Sequence, residues 1–357
     1  MKQVLMTASV LAMGASAAAA GGLERSTQSV GILFEQGNYA EFSLGLANPD
    51  VSGTIGGGAV SSGDMAPGYG TFALGYKRAL RDDLDLAVIL DQPIGAKVSY
   101  PASAAPYPFA GSTADMDSMA VTALLRYRLP SNFSFIGGLR VQSVKGEVGI
   151  PVFGNYTMTT NTDERLGYVV GIAWERPDIA ARVALTYNSA ITHTLTATES
   201  FSPVPTTFDT EIPQSVNLEF QTGIAANTLV FGSVRWVDWS EFDITPPAFL
   251  GATGGSLSDI TTDSTSYTLG VGRKFNETWS GALILGYEGD GGVPVGNLGP
   301  TDGYRSIGIA ATYTRDNMKI TGGLRYVEVG DATTTTIGGQ FTDNTAIAAG
   351  LRVGFSF

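Results

Sequence analysis

The chain of 357 residues contains no cysteine and a single histidine. Without cysteine there can be no disulfides, thiol nucleophiles or thiolate metal sites, and the composition is compatible with an oxidising compartment. One histidine excludes a multi-histidine metal centre, and neither GxSxG nor HExxH occurs. Positive charge is also scarce. The formal net charge of −12 argues against nucleic acid as a partner. Beyond the first twenty residues no apolar run approaches the roughly 20 residues a membrane helix needs. Mean hydropathy is nevertheless positive, +0.11. The hydrophobicity is therefore dispersed, as in strands that alternate lipid-facing with lumen-facing residues.

The N-terminus reads as an export address. Lys2 precedes an apolar stretch from Val4 to Met13, and small residues Ala17 to Ala20 follow. This pattern predicts a signal peptide over 1–20, with the mature chain starting near Gly21.

Period-two alternation is clearest at the C-terminus. Ile347, Ala349, Leu351, Val353, Phe355 and Phe357 share one face, and Ala348, Gly350, Arg352, Gly354 and Ser356 the other. Phe72, Leu74 and Tyr76 alternate in the same way with Ala73, Gly75 and Lys77, and Val183, Leu185 and Tyr187 with Arg182, Ala184 and Thr186. Fourteen strands are predicted, over 39–50, 67–79, 84–96, 117–129, 132–146, 163–176, 179–193, 209–223, 228–242, 264–275, 278–289, 302–315, 318–330 and 344–357. Most exceed the usual globular strand of about five or six residues. Tight turns near 81–83, 130–131, 177–178, 225–227, 276–277 and 316–317 alternate with long polar or Gly-rich loops. Short turns on one rim and long loops on the other predict an all-β, antiparallel transmembrane barrel in the outer membrane, with both termini periplasmic.

The faces opposite the apolar ones carry Lys77, Asp85, Arg126, Arg140, Arg182, Glu219, Arg235, Lys274, Arg325 and Arg352. An Arg or Lys facing lipid at the midplane would cost roughly 2–4 kcal/mol, so these charges belong in the lumen. They read either as a wall that guides a carboxylate or as ion pairs that hold the barrel together. His193, beside Ser189 and Thr192 near a strand end, is the one candidate base for a barrel esterase. The glycine runs at 56–58 and 254–255 fall in loops, where they cannot cradle phosphate between strand and helix. The residues point to no enzyme, cofactor or metal.

Specific stretches resemble a family. Val234-Arg235-Trp236-Val237-Asp238-Trp239-Ser240-Glu241-Phe242 is similar to the Trp-x-x-Trp-Ser-x-Phe strand end of the FadL/TodX family, outer-membrane transporters of long-chain fatty acids and other hydrophobic compounds. Pro213 to Gly223 resembles its preceding strand. Pro294 through Pro300-Thr301-Asp302-Gly303-Tyr304-Arg305 resembles its Pro-then-Pro-Asp-x-x-Arg segment, and Tyr39 to Gly53 its first strand. The resemblance implies a fourteen-strand monomeric barrel with an N-terminal hatch in the lumen. Here only 21–38 precede the first strand, without the family's Asn-Pro-Ala stretch. A small plug built on Leu23, Val30, Ile32, Leu33 and Phe34 is predicted, since Gly-Ile-Leu-Phe exposed in periplasm would be an apolar liability.

Loop residues Phe109, Phe153, Tyr156, Met158, Phe201 and Phe208 have no lipid to face and are the candidates for an outer substrate groove. The third strand reads Leu84, Leu86, Val88, Leu90 and is then interrupted at Asp91-Gln92-Pro93-Ile94-Gly95. Proline lacks a ladder N–H and glycine permits a bulge, so the wall is expected to part there and release substrate sideways. The resemblance implies the same route. Otherwise Pro93 simply ends the strand. The expected function is passive uptake of hydrophobic small molecules, most of all long-chain fatty acids, by a monomer set among membrane lipid and lipopolysaccharide. A general porin, a barrel enzyme and an adhesive barrel remain as alternatives.

Overall fold

The computed structural model describes residues 22–357; the expected signal peptide lies outside the described residues. Fourteen antiparallel wall strands follow one another around the barrel: β1 (Tyr39–Asp50), β2 (Tyr69–Arg81), β3 (Leu84–Asp91, resuming as Gly95–Ser99), β4 (Thr113–Arg128) and β5 (Phe133–Ile150). They continue as β6 (Asp163–Arg176), β7 (Ala181–Asn188, then Ile191–Glu199), β8 (Thr206–Ile212, then Ser215–Ala225), β9 (Thr228–Val237) and β10 (Ser264–Lys274). The last four are β11 (Trp279–Glu288), β12 (Tyr304–Arg315), β13 (Met318–Val329) and β14 (Thr345–Ser356). β14 pairs with β1 from Tyr39 opposite Ser356 to Asp50 opposite Thr345, which closes the sheet into a barrel.

The outer surface explains why these sequences form a wall. Leu44, Leu46, Val121, Leu139, Leu269, Leu285, Ile309, Leu324 and Ile347 are all exposed and form a continuous apolar belt. Such a belt requires hydrocarbon around it. Aromatic rings bound it on both sides. Tyr76 meets Phe357 and Trp279 meets Tyr313 at the short-turn rim, while Tyr168 meets Tyr187 and Tyr267 meets Tyr287 at the opposite one.

The lumen is filled from within by the chain's own start. Residues 31–34 form a single 3₁₀ turn, and Val30, Ile32, Leu33 and Phe34 are buried against Ala87, Leu124, Ile136, Val169, Ala173 and Ala184 on the inner wall. Gly75 makes room for this plug, since a Cβ there would lie 2.5 Å from Ile32 Cδ1. The two ends of the wall lie together at the short-turn rim, where the Phe357 N–H donates to Asn38 O at 3.1 Å. From Asn38 the described N-terminal residues run up inside the barrel to Leu23, which bonds to the interrupted part of β3.

The expected strands are all present, but several run past their expected outer ends. β5 continues to Ile150 and pairs with a short strand, Tyr156–Thr160. Residues 194–208, expected as a loop, are largely a β-hairpin. Met158 and Phe208 therefore sit on strands.

Candidate functional site

Beyond the aromatic ring at the long-loop rim the alternation reverses its polarity. Along β5 the outward residues Phe135, Leu139 and Val141 give way to Lys145 and Glu147, while the inward Arg140 and Gln142 give way to Val144, Val148 and Ile150. The second half of β7 does the same, turning Thr192, Thr194, Thr196 and Thr198 outward and Ile191, Leu195 and Ala197 inward. Beyond the hydrocarbon belt the wall encloses an apolar chamber, so the apolar face moves inward.

That chamber is a mostly apolar cavity lined by Met116, Val144, Val148, Met158, Leu195, Phe208, Phe242 and Leu257, with Leu23 of the plug also in its wall. A chain of rings packs beside it. Phe109 meets Phe153 edge-on at 6.0 Å, Phe153 meets Phe249 at 5.5 Å, and Tyr156 lies 4.8 Å from Phe249 and 5.0 Å from Phe201. Phe249 belongs to the short helix α1 (Pro247–Thr253), tied down by Glu199. The Glu199 carboxylate accepts from Tyr156 Oη at 2.9 Å, from the backbone N–H groups of Phe249 (2.9 Å) and Ala248 (3.3 Å), and from Thr206 Oγ1. Burial by itself raises this carboxyl's pKa, yet the four donors outweigh it and hold the pKa below its ordinary value.

Beside the chamber the wall is open. β2 and β3 pair only from Leu74 opposite Leu90 to Arg81 opposite Leu84, so Tyr69 to Ala73 have no ladder partner on that side. β3 resumes at Gly95 paired with β4 alone. Between Asp91 and Gly95 the ladder is replaced by other groups. Ile94 N–H donates to Ser118 Oγ at 3.0 Å, and Ser118 Oγ donates to Ile94 O at 2.6 Å. The plug takes the rest: the N–H groups of Arg25 and Ser26 donate to Pro93 O at 2.9 and 3.2 Å, and Gly95 N–H donates to Leu23 O at 2.8 Å. The resulting gap is lined by Arg25, Tyr69, Thr71, Gln92, Lys97 and Ser118, and it shares Ala96, Asp115 and Met116 with the apolar chamber.

A fourteen-strand barrel with an internal plug and an interrupted third strand has relatives. Residues 18–288 match the family model described as outer membrane protein transport protein (OMPP1/FadL/TodX). The chain belongs to the OMPP1/FadL/TodX family. Among solved structures it is similar to a *Pseudomonas aeruginosa* FadL homologue, with TM-score 0.76, 14% identity and 92% of each chain covered. It is also similar to the *P. putida* toluene transporter TodX, with TM-score 0.64, 14% identity, and 90% of this chain and 91% of that one covered. The *Ralstonia pickettii* toluene transporter TbuX gives TM-score 0.62 at 12% identity, over 91% and 90% of the two chains. No curated protein sequence matches the chain. Membership makes this an outer-membrane transport barrel for hydrophobic compounds, in a family of transporters rather than enzymes.

In this OMPP1/FadL/TodX barrel the expected groove residues divide in two. Met158 and Phe208 line the chamber, while Phe109, Phe153 and Tyr156 form the ring stack beside it. Phe201 is 38% exposed at its outer edge. Met116, Val144, Val148, Leu195 and Phe242 were missed, and the reversed alternation is the signal that would have found them. Pro93 does not end its strand, because β3 resumes two residues later.

The lumen charges mostly grip the plug. Arg235 pairs with Glu24 and donates to Ser215 Oγ (3.0 Å) and Asn217 Oδ1 (2.6 Å). Arg126 donates to Leu33 O at 3.2 Å, and Arg126 and Arg182 lie over the Phe34 ring at 4.3 and 4.4 Å. Lys77 donates to Glu35 O (2.7 Å) and Gly37 O (2.9 Å) and pairs with Asp85. Arg140 donates to Thr122 Oγ1, and Arg325 donates to Ser306 and lies over Tyr304. His193 is fully buried with Nδ1 3.1 Å from Asp163 Oδ2. Its supposed hydroxyl neighbours engage elsewhere: Ser189 Oγ accepts from Tyr168 N–H, and Thr192 Oγ1 donates to Glu211.

Proposed function

We propose that the protein carries hydrophobic small molecules, long-chain fatty acids foremost, from the cell exterior into the outer membrane through the gap between β2 and β3. The ring stack of Phe109, Phe153, Tyr156 and Phe201 receives the ligand, and the chamber at Met158 and Phe208 holds its tail. Each buried methylene contributes about 0.8 kcal/mol, so an apolar chamber needs no polar lock for useful affinity. The short-turn rim faces the periplasm, and the barrel works as a monomer with its outer rim among lipopolysaccharide.

The observation that carries this reading is continuity: Ala96, Asp115 and Met116 border both the chamber and the gap. A ligand in the chamber is one side chain from a breach in the wall, while the straight path down is occupied by Leu23 to Phe34. Asp91, Pro93 and Gly95 create the breach, as an uninterrupted β3 would pair with β2 along its whole length.

Because the chain has no cysteine, the route can be closed chemically. Thr71→Cys and Lys97→Cys, one on each side of the gap, are bridged with a short bis-maleimide in cells whose fatty-acid uptake depends on this protein. Uptake of labelled oleate is expected to fall severalfold on bridging and to be unchanged in each single variant. Undiminished uptake through the bridged protein would refute lateral release.

A further inference from the structure

Within the gap a plug arginine and a wall tyrosine interact with each other, and each keeps a polar atom that no other described residue hydrogen-bonds. Arg25 is 8% exposed, and its guanidinium lies over the Tyr69 ring, 3.2 Å from the centroid. Its Nε donates to Gly95 O at 3.0 Å, which fixes the orientation of the fork. Nη1 is buried with no hydrogen-bond partner among the described residues, and so is the Tyr69 hydroxyl. Both residues line the gap. A guanidinium is always charged and has five N–H donors in a rigid plane, and a phenol adds an O–H donor. Leaving such groups buried and unmatched is costly, and each one in a native fold calls for a partner.

We propose that Arg25 and Tyr69 form a carboxylate-binding site inside the lateral opening, so that the cargo preferred at the exit is an amphiphile with an anionic head rather than a neutral hydrocarbon. This rests on the transport reading and adds to it a specificity element. The carboxylate accepts from Arg25 Nη1 and Tyr69 Oη while the tail extends past Ala96 and Met116 into the apolar chamber. The other charges around the gap set where the head sits. Asp115 and Asp117 border it on the β4 side and repel an anion, and Lys97 lies on β3. Asp117 is itself paired with Lys145 at 3.4 Å. The head therefore rests on the β2 side, against Tyr69, next to the unpaired edge.

The test compares two molecules with the same tail, dodecanoate and 1-dodecanol, taken up at neutral pH by cells making the full-length protein. Arg25→Gln is expected to lower protein-dependent dodecanoate uptake about tenfold or more, with dodecanol uptake within twofold of wild type. Tyr69→Phe, which keeps the ring under Arg25, should lower dodecanoate uptake severalfold, and Arg25→Lys should restore part of the loss. An equal fall for both molecules in Arg25→Gln and Tyr69→Phe would show that the pair only shapes the gap, and would overturn the site. Unchanged dodecanoate uptake would overturn it too. Wild-type protein that raises uptake of neither molecule would instead bring down the transport reading, and the site with it.

Discussion

Replacing Arg235 by alanine should release the outer half of the plug and leave the inner half in place. Arg235 is 6% exposed and is the ion-pair partner of Glu24, and its guanidinium also satisfies Ser215 and Asn217. Removing one partner of a buried pair costs about 3–5 kcal/mol. In the outer half, residues 23–29, the only buried large apolar side chain is Leu23, whose burial is worth about 1.5–3 kcal/mol. The perturbation exceeds that apolar hold and leaves the outer half on its hydrogen bonds to Pro93, Gly95 and Asp91. In the inner half Val30, Ile32, Leu33 and Phe34 are all buried against Ala87, Leu124, Ile136, Val169, Ala173 and Ala184, together worth roughly 6–12 kcal/mol. Single thiols placed by Ser26→Cys and Leu33→Cys report on the two halves, and maleimide labelling in detergent measures their opening. In the Arg235→Ala background the rate at position 26 should rise on the order of a hundredfold, since about 1.4 kcal/mol is a factor of ten. The rate at position 33 should change only severalfold. Equal acceleration at both positions would mean that the plug moves as one body, and no acceleration at either would mean that Arg235 does not hold it.

Two other expectations concern the wall and the outer stack. Gly270→Ala would drive a Cβ into the buried Phe231 ring, so overpacking should cost about 1–3 kcal/mol and lower the temperature at which the folded, faster-migrating gel band is lost; an unchanged transition would refute the close fit. Glu199 has a depressed folded-state pKa, so the stability it gives α1 is fully present above the pKa of an unfolded glutamate and is lost as pH falls through the folded value. Proteolytic nicking at residues 246–257 should therefore be slow at neutral pH and rise only as pH falls below the ordinary glutamate range, and Glu199→Gln should abolish that dependence. Nicking that is already rapid in wild type at pH 7 would contradict the anchoring role.

The membrane-embedded wall was legible in the sequence because lipid imposes one rule on every strand. Val183, Leu185 and Tyr187 face hydrocarbon and Arg182, Ala184 and Thr186 do not, and β7 shows just that division. The strand extensions were not legible by the same rule, since Thr194 to Thr198 look like polar loop when an apolar outer face is sought. The apolar core of the plug was visible in Ile32-Leu33-Phe34. Its fastening was not, because Arg25 meets a carbonyl 70 positions away and Glu24 an arginine 211 positions away. Nothing local in sequence marks such pairs.

The interruption of β3 shows where local chemistry stops being informative. Pro93 removes a donor and predicts a break, but whether the break opens the wall depends on what satisfies the groups it strands. In hydrocarbon each unsatisfied backbone group costs several kcal/mol. On the β3 side the debt is nearly cleared, since Ser118 serves both polar groups of Ile94 and the plug serves Pro93 O and Gly95 N–H. On the β2 side the substitute found among the described residues is Gln92 Oε1, which accepts from Phe72 N–H at 3.0 Å. The compensation is therefore lopsided: the lumen and β4 stabilise the bent strand, and the edge from Tyr69 to Ala73 has less to replace its ladder. Any group able to exchange hydrogen bonds will be drawn to that edge, and it lies beside the chamber whose apolar lining would hold the rest of an amphiphile.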